Sequence, residues 1–345
     1  MTEDLIPELI CIADDGELDL SRVEQRTGEN VDTGKLRCRR CGRPYEIRQG
    51  VVCMMDVSNE PKSHFGAQWN WFLQGRFENP AESTYGEDRD FILRDFFAMT
   101  NLTPATLAGR RILDAGSGSG KLSYHLMRTF PDIPFEIVNL EITDSIYAAS
   151  QWVNDGRAKF VRGSVLQPGL RRSSFDVVYS AGVLHHTSNP RLSFAALSRL
   201  VKPGGTMSTW MYSKRFNPFL DTTGIVWPLT RHLPTSVIFA IAWMLSPFYW
   251  LLFRGGYAFK TIFRPRSWRW NWVMPLSFGS IRLHLFDYMH TYYRFRYWPE
   301  EIVPWYKENG FEEIVIVRPG STAMHARRAM AIRTEAPAVA AASEM

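Results

Sequence analysis

One decapeptide constrains this chain more than any other stretch: Arg111-Ile-Leu-Asp-Ala-Gly-Ser-Gly-Ser-Gly120. A β-rich run stops at Asp114, glycines at 116, 118 and 120 make a tight turn, and a helix-length amphipathic segment starts at Lys121. Glycine allows the sharp turn and lets a ligand approach the main chain without a Cβ in the way. The helix start beyond it offers unpaired N–H groups. Two common glycine fingerprints fail on spacing. A dinucleotide fingerprint needs glycine at 121, which is Lys121, and a P-loop needs glycine at 115 and Ser or Thr at 122, which are Ala115 and Leu122.

The rest of the region alternates short β-rich runs with helical segments, which predicts an α/β fold with a parallel sheet and helices on both faces. The expected strands are Arg111 to Asp114, Phe135 to Leu140, Ala158 to Val161, Phe175 to Ser180, Thr206 to Tyr212 and Phe311 to Val317. Expected helices are Lys121 to Thr129, Asp144 to Val153 and Arg191 to Val201, with another over Asp88 to Met99. The composition divides the chain into a turn-rich module at 1–58, a helical linker at 59–103 and an α/β domain at 104–333. That domain carries a basic, aromatic helical insert at 213–298, and an Ala-rich tail follows at 334–345.

Asp114-x-Gly-x-Gly-x-Gly120 resembles motif I of the class I S-adenosylmethionine-dependent methyltransferases, a Rossmann-like family, here most similar to its type 11 members. Three later stretches extend the resemblance. Glu141 lies 21 residues after Gly120 at the end of a strand, where an acid takes ribose hydroxyls. Phe160-Val-Arg-Gly-Ser-Val165 stands where the family contacts adenine, with Ser164 in place of the usual acid. Phe175-Asp-Val-Val-Tyr-Ser-Ala-Gly-Val-Leu-His-His186 and Leu200-Val-Lys-Pro-Gly-Gly205 match the fourth-strand and pre-fifth-strand signatures. The resemblance implies S-adenosylmethionine as cofactor, held by Asp114, Gly116, Ser117, Gly118, Gly120, Glu141, Ser164, Val165 and Ser180.

The implied chemistry is an in-line methyl displacement in which the protein aligns acceptor and methyl and, where needed, removes a proton. The Asn/Asp-Pro-Pro-aromatic signature for planar amino groups is absent after strand four, where Ser180-Ala-Gly-Val183 stands. Oxygen or carbon acceptors are therefore favoured. His185 and His186 follow that strand at the ligand-binding edge and could serve as base. The alternative is a structural turn with one ring packed and the other lining the pocket. His284 and Asp287 are further candidates, with capping or solvated roles as the alternative.

All four cysteines lie in the first module. Cys38-Arg-Arg-Cys41 is a C-x2-C knuckle, while the upstream knuckle reads Cys11-Ile-Ala-Asp14. The layout resembles the small zinc-ribbon module of the Trm112-like family. Asp14 could complete a structural Zn2+ site with Cys11, Cys38 and Cys41, since carboxylates are accepted ligands. A ribbon that keeps its fold without metal is the alternative.

The net charge of +5 is unevenly spread. Between Ser213 and Glu300 stand eleven Lys or Arg, three acids and seven of the twelve tryptophans, so this stretch is +8 and the remainder −3. Leu233 to Phe253 has no charged residue across 21 positions. Its length would span a bilayer, but its place inside the sheet order opposes that, and Pro247 is expected to divide it. Arg264-Pro-Arg-Ser-Trp-Arg-Trp-Asn-Trp272 mixes cations with tryptophan as interfacial anchors do. A lid over the acceptor pocket and membrane-surface contact through 233–272 are compatible readings. An RNA face is less favoured, since it would scatter cations through the uncharged run.

With few cysteines for the length, and an acidic, unhydrophobic Met1 to Leu20, the chain is expected to be cytoplasmic, peripheral at a membrane if the insert docks. The expected acceptor is small or lipid-like. The alternatives kept open are an RNA base methyltransferase and a non-catalytic partner that retains the fold.

Overall fold

The computed structural model describes residues 1–56, 65–263, 276–318 and 321–330. Arg264 to Trp272, Pro319, Gly320 and the expected tail lie outside them. Four strands open the chain, β1 (Leu18–Thr27), β2 (Asn30–Cys38), β3 (Pro44–Arg48) and β4 (Val51–Cys53), paired antiparallel in order. Helix α1 (Phe65–Leu73), the short pair β5 (Ser83–Thr84) and β6 (Glu87–Asp88), and α2 (Arg89–Thr100) follow. The Asp88 side chain caps α2 by accepting from Phe91 N at 2.8 Å.

The alternating region then runs β7 (Arg111–Ala115), α3 (Lys121–Thr129), β8 (Glu136–Glu141), α4 (Ser145–Val153), β9 (Ala158–Arg162), β10 (Phe175–Ala181), α5 (Pro190–Ser198) and β11 (Val201–Trp210). Helices α6 (Pro218–Thr230), α7 (Thr235–Phe263) and α8 (Phe278–His290) form the insert. Helix α9 (Pro299–Glu308), β12 (Phe311–Ile316) and β13 (Met324–Arg328) close the fold.

Eleven strands form one sheet in the order β1-β2-β3-β4-β9-β8-β7-β10-β11-β13-β12. Strands β9, β8, β7, β10 and β11 are parallel, and β13 runs antiparallel between β11 and β12. The winding reverses between β7 and β10, which places a ligand crevice beyond their carboxyl ends. Alternate residues of each central strand enter opposite cores. Ile112, Ile137 and Val177 pack with α2, α3 and α4, whereas Leu113, Val138 and Val178 pack with α5 and α9. Burial on both faces explains why these strands read as continuous apolar runs.

Three features differ from the sequence reading. The expected fifth strand begins earlier, at Val201, and Met211 and Tyr212 lie beyond its end. Strand β13, Met-His-Ala-Arg-Arg, has no strand-like pattern of its own and forms because β11 and β12 flank it. Pro247 does not divide the apolar run, since α7 passes through it unbroken. Proline leaves the carbonyl four residues back without its helical donor, and Ser246 Oγ donates to that Trp243 oxygen at 2.9 Å.

The first module is joined to the α/β sheet by β4, whose Val52 and Cys53 pair parallel with Val161 and Arg162 of β9. Ile10 N donates to Gly169 O at 3.0 Å, Arg171 N to Glu8 O at 2.7 Å and Met54 N to Arg162 O at 2.7 Å. These bonds brace the 163–170 turn that follows β9.

Candidate active site

The glycine turn leaves β7 with Gly116 at φ 85° and Gly118 at φ 56°. A Cβ on Gly116 would stand 2.3 Å from the Val183 side chain, and one on Gly118 2.8 Å from the Trp69 ring. Gly120 serves a different purpose. A Cβ there would meet Ala149 and Val153 of α4 at 3.3 Å, so it permits α3–α4 packing and lines neither cavity described below. Glu141 braces the turn from the next strand, its Oε2 accepting from Gly118 N and its Oε1 from Thr143 N, both at 3.0 Å.

Two adjoining cavities of about 290 Å³ and 270 Å³ open at the carboxyl edge of the sheet. They share Phe65, Trp69, Gly116, Ala181, Gly182 and His186. The first is lined by Glu141, Ser164 and Val165. The second holds Asp114, Ser117, Gly118, Tyr212, His284 and Asp287. Thus Asp114, Gly116, Ser117, Gly118, Glu141, Ser164 and Val165 all line one or both of these cavities. Ser180 does not join them. Its hydroxyl is buried and donates to Ala115 O at 3.0 Å, tying β10 to β7.

The residues present fit S-adenosylmethionine. Bare backbone at Gly116 and Gly118 forms a cradle that a Cβ would fill. The buried hydroxyls of Ser117 and Ser119 line the second cavity and have no hydrogen-bond partner among the described residues. Burial pushes the Asp114 carboxyl up to about 7, with Lys121 opposing and Glu141 adding to the rise. Burial also raises Glu141, against the backbone N–H bonds that favour its charge. A cationic ligand beside these acids would favour their ionised forms.

The two histidines after β10 part company. His185 is fully buried, lines neither cavity, packs its ring 3.9 Å from that of Tyr212, and neither ring nitrogen has a hydrogen-bond partner among the described residues. That enclosure keeps it neutral, its pKa well below the usual value, and removes it as a base. His186 lines both cavities, and its Nδ1–H donates to Tyr293 O at 2.8 Å. This tautomer leaves Nε2 as the acceptor. Burial lowers its pKa while Asp287 partly opposes. His284 is likewise held through Nδ1, which donates to Ser280 O at 2.8 Å.

Asp287 is the centre of a buried network. Its Oδ2 accepts from the Tyr212 hydroxyl at 2.7 Å and its Oδ1 from Gln68 Nε2 at 3.3 Å. Gln68 also donates to the Tyr85 hydroxyl at 2.8 Å, and its Oε1 accepts from His290. Gln68, Trp69, Tyr85 and Tyr212 escaped the sequence reading. The aromatic clustering of residues 59–103 was the available signal, but nothing local says that α1 folds back over the sheet edge.

The metal-ligand candidates also converge. Ligand atoms of Cys11, Asp14, Cys38 and Cys41 all lie within 4.8 Å of one another. Backbone N–H groups of Arg40 and Cys41 reach Cys38 Sγ at 3.3 and 3.5 Å, and Gly16 N reaches Asp14 Oδ1 at 2.9 Å. The Gly16 bond is the main reason the Asp14 carboxyl falls to about 2. A Cβ on Gly16 would stand 2.7 Å from Cys38 Sγ, so the knuckle closes only over glycine. Cys53 lies apart, buried in β4.

Sheet order, glycine turn and strand-end acid define a Rossmann-like cofactor-binding protein. Residues 113–209 match the family described as "Methyltransferase domain". The ubiquinone biosynthesis O-methyltransferase of Brucella ovis is 32% identical over 153 residues, covering 42% of this chain. The chain spans 58% of that relative's length. Human N-acetylserotonin methyltransferase, solved in complex with SAM, is 16% identical with a TM-score of 0.38, over 76% of this chain and 54% of its own. The CurJ carbon methyltransferase is 14% identical with a TM-score of 0.38, over 66% and 50%.

Proposed function

We propose that the chain transfers the methyl group of S-adenosylmethionine to an oxygen or carbon of a small or amphiphilic organic acceptor. The observation that carries this reading is the meeting of the two cavities at Gly116 and His186, with Glu141 on one side and the Asp287–Tyr212 pair on the other. The name of the Brucella relative accords with an oxygen acceptor. When bound, the cofactor supplies an electrophilic methyl on a sulfonium.

The residues divide the remaining work. Glu141 and the 163–165 turn hold the nucleoside portion, and the Gly116–Gly118 backbone with Ser117 and Asp114 holds the amino-acid portion. Phe65 and Trp69 of α1 keep water from the junction. His186 Nε2 accepts the acceptor's proton, and Asp287, held by Tyr212 and Gln68, orients the acceptor's polar end. Methyl-labelled cofactor given to the purified protein with total small-molecule, lipid and RNA extracts tests the reading. Label in an organic small molecule or lipid is the expected result; label confined to RNA, or none in any extract, overturns it.

A pH signature follows from Asp114. Its carboxyl is about half protonated near pH 7 in the ligand-free protein, and a cationic ligand drives the proton off. Binding therefore releases a proton below that pKa, and affinity rises with pH by about tenfold between pH 6 and 8. Asp114→Asn should flatten the slope and abolish the buffer dependence of the calorimetric heat. A slope unchanged in that variant would assign the proton elsewhere.

The first module is proposed to hold one structural Zn2+ through three thiolates and the Asp14 carboxylate, a donor set that zinc accepts. Elemental analysis should find close to one zinc per chain in the wild type, far less in Cys38→Ser, and retention in Asp14→Cys. Because the module braces the 163–170 turn, metal loss should also weaken cofactor binding. Equal, near-zero zinc in all three proteins would leave a metal-free ribbon. Contact with a membrane surface is proposed below.

A further inference from the structure

Helix α7 presents two opposite stripes. Ile238, Ala242, Tyr249 and Phe253 are buried. On the other side Trp243, Met244, Phe248, Leu251 and Leu252 are half to nearly three quarters exposed. Met244, Phe248 and Leu251 stand at i, i+4 and i+7, so they share one helix face. Helix α6, tied to the buried side of α7 by the Thr222–Tyr249 hydroxyl bond at 2.7 Å, also exposes Ile225 and Leu229, by 82% and 75%. An exposed helix face without a polar residue exceeds the scattered apolar exposure of ordinary surfaces. In the most apolar stretch of α7, mean hydropathy 1.8, only 28% of positions are buried, so packing among the described residues does not account for its composition.

The rim says what covers it. Arg231, Arg254 and Arg282 lie over the rings of Trp227, Trp250 and Trp243 at 4.7, 5.0 and 4.3 Å. Helix α7 carries no acid, the one acid of α6, Asp221, is paired with Arg296, and Asp287 of α8 is buried. Two copies meeting through this face would oppose their cationic rims, a costly arrangement. An anionic surface meets no such repulsion, and tryptophan–arginine pairs suit the headgroup level of a bilayer.

We propose that the exposed face of α7 docks on an anionic phospholipid surface, lying in its interface without crossing it. A crossing would have to strip the buried stripe of α7 from α8. Helix α8 carries Asp287 and His284 in the second cavity, so one helix separates the docked face from the acceptor site. Delivery of an amphiphilic acceptor from that surface rests on the methyl-transfer reading; docking itself does not.

The test is flotation of the full-length protein with phosphatidylcholine vesicles, with and without 30 mol% phosphatidylglycerol (roughly physiological anionic content). The wild type should float with the anionic vesicles and at least tenfold less with the neutral ones. The triple variant Met244→Glu, Phe248→Glu, Leu251→Glu should lose at least tenfold of that binding, with unchanged far-ultraviolet circular dichroism, thermal midpoint and S-adenosylmethionine affinity. Single Phe248→Ser should give an intermediate loss if the triple variant fails to fold. Equal flotation of wild type and variants would overturn the proposal. So would a wild-type dimer that the substitutions dissociate, or protein that resists alkaline extraction from the vesicles. Cofactor affinity, measured separately, tests the methyl-transfer reading whichever way flotation falls.

Discussion

Gly118→Val is expected to lower S-adenosylmethionine affinity at least about a hundredfold, a loss of about 2.7 kcal/mol. Two effects combine. The left-handed backbone at φ 56° costs a residue with a Cβ about 1–2 kcal/mol. The new Cβ would stand 2.8 Å from the Trp69 ring, and Trp69 lines both cavities. Relief requires the ring or the turn to move, and the Gly118 N–H bond to Glu141 moves with the turn. Gly109→Ala is the control, since that glycine has φ 72° with nothing within 4 Å of a Cβ. It should show the backbone strain as a stability loss and leave binding unchanged. Calorimetry and urea denaturation separate the two; a Gly118→Val protein that binds like the wild type would remove the turn from the cofactor site.

Once the labelling screen has named an acceptor, His186→Ala should cut kcat by about 10²–10⁴-fold, the usual worth of a positioned general base, with cofactor affinity little changed. Because burial holds the His186 pKa below its ordinary 6.5, the wild-type kcat at saturating cofactor should stay level just below pH 6.5. It should fall only as pH drops further, through the folded-state pKa, when Nε2 becomes protonated. His185→Gln should change stability and keep that profile, since its ring lies in the packing beneath Tyr212. A His186→Ala enzyme with wild-type kcat, or one that keeps the acid limb, would leave the proton to solvent or to Asp287.

How much was legible follows from which interactions are local. The Asp114-to-Gly120 turn and the acid at 141 were readable because a strand, a turn and a helix start demand fixed residue types within a few positions. The Cys11, Asp14, Cys38 and Cys41 set was readable because knuckle spacing is itself local. Ser180, Gly120 and His185 stood inside matched motifs yet face away from the cavities. A motif constrains position along the chain, whereas the direction of a side chain depends on what packs against it. Gln68, Tyr85 and Tyr212 were missed for the complementary reason: their network centres on Asp287, 219 residues from Gln68 and 75 from Tyr212.

By itself, then, the amino-acid sequence determined the parallel α/β core, the glycine turn with its strand-end acid, and the concentration of charge in the insert, all consequences of periodicity and short-range geometry. Only the tertiary structure decided that α1 and α8 close over the sheet edge, that β4 welds the first module onto β9, and that α7 turns an apolar face outward. Those outcomes rest on long-range packing and strand pairing. The uncharged run of α7 satisfies core, span and docking face equally until its neighbours bury one stripe and leave the other.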